Sequence, residues 1–400
     1  MINAAPMITS NCRRLRLLAP ALAALAMATI FAGAAAARPQ TQPAAPPQAQ
    51  PAPAPPQGQP GPTPPQGQPG PFPGRPAPPP LPVSGYHIIR KIPIAGTGGW
   101  DYLNEDSDTG RLFISRGTHI QALDLALGLV TGDIPDTQGV HGVALAPEFG
   151  RGFTSNGGTA SVTIFDLKTL AKIGEAKTDP GTDAIIYDPA SKRVFTMNGR
   201  SGTATAIDAA TGAVAGSIAL GGRPEFPAAD AAGHVYVNLE DKSEVVELDS
   251  QKLTVLNTWP AAPCESPSGM AIDREHRRLI IGCHNKLMAI MDADSGKVVT
   301  TVPIGSGVDA NRFDPGTQLA FSSNGDGTLT IVHEDTPDSF KLLDNIATQQ
   351  GARTMEVDLA THHVFLVTAS YGPAPAPTAD MPRPRPQILP DSMVVIELSQ

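Results

Sequence analysis

The first 84 residues of the chain contain no Asp and no Glu, although the whole sequence of 400 residues holds 38 of them. Residues 85–400 therefore carry all the acidic side chains. Of the 29 Lys and Arg, five precede residue 85, so the later part has a formal charge of −14. A chain so short of basic residues argues against general attraction to nucleic acid, because that affinity comes mainly from Lys and Arg displacing counterions from phosphates. Neutral or cationic partners are favoured.

Recognisable catalytic signatures are also missing. The sequence has no nucleophile-elbow, phosphate-loop or haem-attachment motif. It therefore predicts no particular reaction, and a function must be argued from the places where polar residues come together.

Residues 1–37 are typical of a cleaved secretory signal. Basic residues at Arg13, Arg14 and Arg16 precede an Ala- and Leu-rich apolar run that extends to about residue 37. A retained membrane anchor is the alternative, but Pro20 and the many small residues make a poor permanent span. Arg16 stands where a twin-arginine signal prefers an aromatic residue, which favours the Sec route. We expect a periplasmic or secreted protein with no transmembrane segment after cleavage.

Residues 38–84 consist almost wholly of Pro, Gln, Ala and Gly. Such a composition cannot bury a core, and its prolines favour the extended polyproline II conformation. We expect a disordered linker that acts as a spacer, with a docking ligand for an aromatic groove as the alternative.

A repeat of about forty residues returns seven times between residues 85 and 400. Its marker is the centre of a short apolar strand, which recurs at intervals of 40 to 45 residues, at Phe113, Phe153, Phe195, Tyr236, Ile280, Ala320 and Phe365. Periods in this range with several strands per repeat are typical of propeller blades. The sequence predicts an all-β, seven-bladed β-propeller that forms one domain over residues 85–400, and we expect a monomer.

The second repeat shows the plan of each blade. Strands are predicted at residues 142–146, 151–155 and 161–166, with Asn156-Gly157 expected to form a tight type I′ turn between the last two. The last repeat reaches a third strand at residues 393–398 and then stops. We expect residues 88–94 to supply its fourth strand and so close the ring, which would protect the exposed strand edge.

Several motifs resemble the YVTN-type propeller repeat. They include Val235-Tyr236-Val237-Asn238, Val364-Phe365-Leu366-Val367 and third strands that end in Asp before a Thr-Gly or Ser-Gly turn. With Gly99-Trp100-Asp101-Tyr102-Leu103 opening the first blade, residues 85–400 look like a secreted YncE-like protein. The resemblance implies the fold and says almost nothing about chemistry, because a fold does not determine a function.

Both cysteines beyond residue 12 fall in the fifth repeat. Cys264 enters that blade and Cys283 ends its second strand at the same face. An exported chain meets an oxidising compartment, so we expect a disulfide between them. Two buried free thiols, or a metal or catalytic role, remain as alternatives. Cys12 precedes the apolar run, which argues against a lipoprotein cysteine.

Polar residues are predicted at the mouth of the central channel. Counting back eleven or twelve residues from each marker gives the entrance residue of every blade: Asp101, His141, Asp183, Glu225, Ser268, Asp309 and Arg353. We expect His141 between Asp101 and Asp183, and Arg353 between Asp309 and Asp101. Such groups can bind a ligand, hold a divalent cation through Asp101, His141, Asp183 and Glu225, or act as acid and base. Solvated or cross-paired side chains are the alternative.

Further candidates lie in the hairpins that face the same way. Turn geometry accounts for Asn156, Asn198 and Asn324, whereas Arg116, Glu240 and His284 are candidates for ligand contact. Blade seven carries a Pro-rich insertion at this hairpin, residues 371–390, in which Arg383 and Arg385 could meet an anionic ligand or the acidic rim. The insertion is either a partner-binding arm or a tolerated surface loop.

Two functions remain in view. The first is a non-enzymatic binding or scaffold propeller that presents its channel face and blade-seven insertion to a small ligand or an envelope protein. The second is a metal-assisted hydrolase or lyase, for which lactonases and streptogramin lyases are precedents by fold analogy alone. DNA binding, suggested for some YncE-like relatives, is disfavoured by the charge of −14.

Overall fold

The structure is a computed structural model that describes residues 83–378, 381, 384 and 386–400. The predicted signal peptide, most of the predicted linker, Arg383 and Arg385 lie outside the described residues. Within this part, seven four-stranded antiparallel sheets form the blades of a propeller, and the only helical segment is a 3₁₀ turn at Pro147–Phe149. The predicted all-β, seven-bladed fold is confirmed.

The first four blades are each built from four consecutive strands. Blade one consists of β2 (Leu103–Asp106), β3 (Arg111–Ser115), β4 (Ile120–Asp124) and β5 (Leu129–Ile134). Blade two consists of β6 (Val140–Ala146), β7 (Arg151–Asn156), β8 (Ser161–Asp166) and β9 (Lys172–Lys177). Blade three consists of β10 (Thr182–Asp188), β11 (Arg193–Asn198), β12 (Thr203–Asp208) and β13 (Val214–Ala219). Blade four consists of β14 (Pro224–Ala229), β15 (His234–Leu239), β16 (Glu244–Asp249) and β17 (Thr254–Pro260).

The other three blades complete the ring. Blade five consists of β18 (Pro267–Asp273), β19 (Arg278–Cys283), β20 (Leu287–Asp292) and β21 (Val298–Pro303). Blade six consists of β22 (Val308–Asp314), β23 (Leu319–Asn324), β24 (Thr328–Thr336) and β25 (Ser339–Ala347). Blade seven consists of β26 (Thr354–Asp358), β27 (His363–Thr368), β28 (Met393–Ser399) and β1 (His87–Ile94).

Blade seven confirms the predicted closure of the ring. β1 pairs antiparallel with β28, from His87 opposite Ser399 to Ile94 opposite Met393. Ile92 and Ile94 are almost fully buried in the same apolar cluster as Val395. The first strand of the domain therefore completes the last blade, and we call this β1–β28 pair the clasp.

Each repeat marker is buried in the second strand of its blade. The first strands of neighbouring blades contact one another around the whole ring, including β2 with β26 across the closure. Apolar side chains fill the space between neighbouring sheets, as where the rings of Phe113 in blade one and Phe165 in blade two lie 5.7 Å apart. Gly152 leaves room for Phe165, because a Cβ there would lie 2.0 Å from the ring.

The prediction of type I′ turns at Asn-Gly pairs is wrong. Asn156 pairs with Ser161, so it ends β7 and a four-residue loop follows. The left-handed residue of this loop is Ala160, with φ of 49°, at the far end of the loop from Asn156. The side chain of Asn156 bonds to Thr154 and Thr163, and these contacts hold Asn156 in the strand. Asn198 and Asn324 also end strands and bond to nearby hydroxyls.

Candidate functional site

The seven predicted entrance residues lie together at one end of the channel. Five contacts connect six of them: His141 touches Asp101 and Asp183, Arg353 touches Asp309 and Asp101, and Ser268 touches Asp309. Glu225 joins the group through Tyr102. We call these seven side chains the entrance ring. Their position at the start of each first strand follows from the repeat, because equivalent residues of all blades face the same axis.

Hydrogen bonds to its own backbone fix the position of Asp101. Its N–H donates to Oγ of Ser115 at 2.8 Å, and its carbonyl accepts a bond of 2.8 Å from Oγ1 of Thr354 in blade seven. The next residue, Tyr102, donates its N–H to the carbonyl of His141 in blade two at 3.0 Å. Blade one is thus held on both sides at the level of the ring.

His141 lies between two carboxylates. Its Nδ1 is 2.6 Å from Oδ2 of Asp101 and 3.2 Å from Oδ1 of Asp183. Burial alone would lower the pKa of His141, but the hydrogen bond with Asp101 and the charges of Asp183, Asp101 and Glu225 raise it to about 9. At neutral pH His141 is therefore a cation of the ring.

Arg353 is the second cation of the ring. Its Nε donates to Oδ2 of Asp309 at 2.5 Å, and its Nη2 lies 3.5 Å from Oδ1 of Asp101. Burial acts to lower its pKa, but the charges of Asp309 and Asp101 raise it overall. Asp101 therefore lies between His141 on one side and Arg353 on the other, as the sequence predicted.

Tyr102 crosses the channel beneath the ring. It belongs to blade one, yet its ring lies 5.0 Å from that of Phe226 in blade four, and its hydroxyl donates to Oε1 of Glu225 at 3.1 Å. Burial and then the charge of Glu225 raise the pKa of Tyr102 well above its ordinary value. The sequence reasoning missed this role, since Tyr102 was noted only as part of the motif that opens blade one.

Three carboxyl groups of the ring, those of Glu225, Asp183 and Asp309, resist ionisation. Burial, followed by the charges of Asp183, Asp309 and Glu240, raises the pKa of Glu225 to about 8. Burial also raises the pKa of Asp183 to about 6, although the charge of His141 opposes the shift. The pKa of Asp309 is raised by burial and then by the charge of Asp101. Four acids and two cations share a poorly solvated space, and the acids outnumber the cations.

The hairpin candidates separate into two kinds. Arg116 is 1% exposed and its guanidinium donates to Ala95, Thr97 and Gln121, so it holds the segment that leads from β1 of blade seven into blade one and is not part of the ring. The second kind forms ion pairs: Glu240 lies 3.8 Å from Nδ1 of His284 and 2.7 Å from Nη2 of Arg223.

Arg223 was not predicted, although it lies only two residues before the entrance residue Glu225. The charge of Arg223 reaches Asp183, whose pKa it acts to lower. The prediction took one entrance residue from each blade, so it could not identify a second residue in blade four.

Two depressions flank the ring on the same face. One, of about 470 Å³, is lined by His141, Asp183, Arg200, Arg223 and glycine backbone. The other, of about 450 Å³, is lined by Trp100, Arg353, Tyr371 and Ile388, among others.

The blade-seven insertion begins beside the second depression. Tyr371 pairs with Ile388 at its base, and the rings of Trp100 and Tyr371 lie 6.3 Å apart. Trp100 is 8% exposed and packs in the core cluster that includes Ile92 and Ile94. The base of the insertion therefore borders the channel mouth, next to Arg353.

Cys264 and Cys283 form a disulfide in the structure, with their Cα atoms 5.4 Å apart. The bond joins the loop that enters blade five to the end of β19. Both cysteines are buried in the apolar cluster of blades four and five.

The fold and the ring define this protein as a seven-bladed β-propeller with a polar channel mouth. No protein-family model and no curated protein matches the sequence. A chain in a crystal structure of the mitotic checkpoint complex is similar in structure, with a TM-score of 0.62 and 14% sequence identity over 74% of this chain and 92% of that chain. At this identity the likeness shows the fold alone, and the resemblance to YncE-like proteins stays a prediction. Among the described residues no helix is long and apolar enough to cross a membrane.

Proposed function

We propose that this protein is a non-enzymatic binding scaffold of the cell envelope, which docks a partner protein on its channel face and receives a basic side chain of that partner in the entrance ring. A β-propeller fits a protein-interaction role, and the structurally similar chain comes from a protein complex. The observation that carries the proposal is the gathering of Asp101, Asp183, Glu225 and Asp309 near two cations, with the hydroxyl of Tyr102 bonded to Glu225.

The charges favour a cationic guest. Glu225 and Asp183 have raised pKa values because they are buried among other acids. A guanidinium or ammonium group placed beside them would favour their ionised forms, and hydrogen bonds between charged partners are about twice as strong as neutral ones. The formal charge of −14 on residues 85–400 would also attract a basic partner from a distance.

Location in the envelope is part of the proposal. The basic and apolar pattern of residues 1–37 supports export, and the disulfide between Cys264 and Cys283 suits an oxidising compartment. The Pro-rich residues 38–84 would then act as a spacer between the propeller and whatever holds the chain.

An NMR titration can test the proposal. The probe is the blocked peptide Gly-Arg-Gly, compared with the same peptide carrying uncharged citrulline, on the full mature chain at low salt. We expect only the Arg peptide to shift the ring resonances of His141, and Asp183→Asn and Glu225→Gln to weaken its binding by at least about 10-fold. Glu175→Gln, an exposed acid on the outer strand β9, is the control and should bind as the wild type does. Equal binding of both peptides would reject the proposal.

A second candidate function is a metal-assisted hydrolase or lyase. The observation in its favour is that donor atoms of Asp101, His141 and Asp183 lie within 4.8 Å of one another. Elemental analysis after titration with Zn²⁺, Mn²⁺ and Ca²⁺ distinguishes the two functions. One bound ion that Asp183→Asn abolishes, together with hydrolysis of simple lactones or esters that the same variant loses, would favour the enzyme. No ion at this site would exclude it.

A further inference from the structure

A second cluster of ionisable side chains lies at the opposite end of the strands from the entrance ring. Asp273 ends β18 in blade five, His276 lies in the turn that follows, and Glu334 belongs to β24 in blade six. Nδ1 of His276 is 2.7 Å from Oδ2 of Asp273 and 3.1 Å from Oε1 of Glu334. The cluster bridges two blades and has no part in the function proposed above.

Glu334 replaces an apolar or small residue of the other blades. In six blades the residue at this position donates its N–H to the carbonyl just before the second strand, as Glu334 does to Gln318 at 2.9 Å. The five equivalent residues are Leu125, Leu167, Ala209, Ser250 and Ala293. The fold therefore does not require a carboxylate here.

His276 also differs from the equivalent residues of other blades, at a position that contacts Asp273. In blades one, six and seven the residue three positions after the equivalent Asp is a threonine whose hydroxyl donates to that Asp: Thr109, Thr317 and Thr361. In blade five the threonine is replaced by histidine, and the carboxylate of the neighbouring blade faces it. Two substitutions of ordinary turn and core residues thus meet at one point.

The carboxylate of Glu334 is buried and lacks hydrogen-bond partners among the described residues. It is 3% exposed, Asp273 is 2% exposed, and neither carboxylate oxygen of Glu334 accepts a hydrogen bond within the described part of the chain. Nδ1 of His276 lies near Oε1 but at an angle that makes no hydrogen bond. Burying an unpaired carboxylate beside a second one is costly, so the arrangement favours a positive charge between them, supplied by a protonated His276 or by a bound metal ion.

We propose that Asp273, His276 and Glu334 bind a divalent transition-metal ion that joins blade five to blade six. Donor atoms of the three side chains lie within 4.8 Å of one another. Ligands about 2.0–2.2 Å from a common ion lie about 2.8–3.1 Å apart at octahedral angles and about 3.3–3.6 Å apart at tetrahedral angles. The 2.7 and 3.1 Å separations around Nδ1 would therefore widen by about 0.2–0.6 Å to hold a tetrahedral ion. The ion would take the place of the proton on Nδ1.

The donor set favours zinc over the alkaline earths. One imidazole nitrogen and two carboxylate oxygens suit Zn²⁺, whereas Ca²⁺ and Mg²⁺ prefer oxygen ligands alone. The side chain of His276 is 31% exposed, which gives the ion a route from solvent. Three protein ligands leave a fourth position for water.

Variants that introduce the residues of other blades test the proposal with little risk to folding. Glu334→Ala copies Ala209 and Ala293, and His276→Thr copies Thr317 and Thr361. Zn²⁺ is titrated by calorimetry into the chelator-treated full mature chain, and thermal unfolding is followed with and without the ion. The channel variant Asp183→Asn serves as the control, because it alters the other possible metal site and leaves this one intact.

We expect one Zn²⁺ that Asp183→Asn retains, with affinity reduced by at least about 100-fold in both Glu334→Ala and His276→Thr. At 100 times its dissociation constant the ion should shift the unfolding equilibrium of the wild type about 100-fold toward the native state, and it should not do so in Glu334→Ala. If Glu334→Ala binds Zn²⁺ as tightly as the wild type does, the proposal is overturned. It is also overturned if Zn²⁺ does not raise the melting temperature of the wild type. The cluster would then be a histidinium held by two acids.

Discussion

The hydroxyl of Tyr102 in blade one donates a hydrogen bond of 3.1 Å to Glu225 in blade four, on the other side of the channel. The same side chain packs against Phe226 and lies among the core residues of blades three and four. One aromatic residue thus reaches from blade one to blade four and hydrogen-bonds to a member of the entrance ring.

Tyr102→Phe should destabilise the protein by about 1 kcal/mol, because it removes one hydrogen bond and leaves the buried Glu225 without that partner. Tyr102→Ala should cost about 3–5 kcal/mol, since it also leaves a cavity on the axis. Urea unfolding measures both. Tyr187→Phe is the matched control, because Tyr187 bonds to Glu148 at an exposed site, and its effect should stay below about 0.5 kcal/mol. Equal losses for the two Phe variants would contradict the role given to Tyr102.

His141 should titrate near pH 9, and its ring resonances in NMR report this directly. Asp183→Asn should move the pKa of His141 down toward its ordinary value, because one of the charges that raise it is lost. Asp101→Asn should lower this pKa further, since the hydrogen bond with Asp101 contributes more than the charge of Asp183. An ordinary titration of His141 in the wild type would show that the two carboxylates do not act on it together.

The stability of the protein should fall as the pH rises from 5 to 9. The folded-state pKa of Glu225, about 8, lies above its ordinary value of 4.5, so the native state holds more protons than the unfolded state between these values. Stability decreases with pH wherever the native state binds more protons. His141, raised from 6.5 to about 9, acts in the same direction at the upper end of the range.

The Glu225→Gln side chain cannot ionise. Between pH 5 and 9 the free energy of unfolding of this variant should therefore fall by about 2 kcal/mol less than that of the wild type, after allowance for solvent screening. Urea unfolding at several pH values gives the comparison. The control is Glu175→Gln, whose parent carboxylate is exposed and has a lowered pKa, so its slope over this range should match that of the wild type. Parallel curves for Glu225→Gln and wild type would refute the raised pKa.

Removing the disulfide should cost about 3 kcal/mol. The bond closes a loop between residues 19 apart in sequence, which restricts the unfolded chain. The double variant Cys264→Ser, Cys283→Ser should unfold at lower urea concentration than the wild type. Dithiothreitol should shift the wild type toward the variant and leave the variant itself unchanged, and a shift in the variant would point to a different cause.

The clasp should be as sensitive as the core of any other blade. Ile94 is 1% exposed where β1 meets β28, so Ile94→Ala should cost about 2–5 kcal/mol in urea unfolding. Ile89, in the same strand, is 46% exposed, and Ile89→Ala should cost less than about 0.5 kcal/mol. Similar small effects for both would mean that β1 adds little to the closed ring.

The repeat made the fold readable, because strand patterns and their spacing are local properties of the sequence. The markers predicted the second strand of every blade, and the count back from them located the entrance ring, including His141 between Asp101 and Asp183. Closure by residues 88–94 was predicted from the missing fourth strand of the last blade.

The sequence could not predict contacts between side chains of distant blades. Tyr102 and Glu225 are 123 residues apart, and no pattern along the chain relates them. Glu334 looked like one more charge on a strand, and only the alignment of blades by their backbone bonds shows that apolar or small residues occupy its position elsewhere. Arg116 was expected at the channel mouth because of its position in a hairpin, yet the loop at Ala95 and Thr97 holds it inside the blade.

The clasp also determines how the domain would carry mechanical load. His87 begins β1 and lies opposite Ser399, which ends β28, so both ends of the domain meet at the same end of a single antiparallel ladder. Tension between them would separate that ladder one residue pair at a time, from His87 and Ser399 toward Ile94 and Met393. The other six blades would bear no force until β1 had peeled away, which makes the seam of the ring the point where a pulled molecule opens.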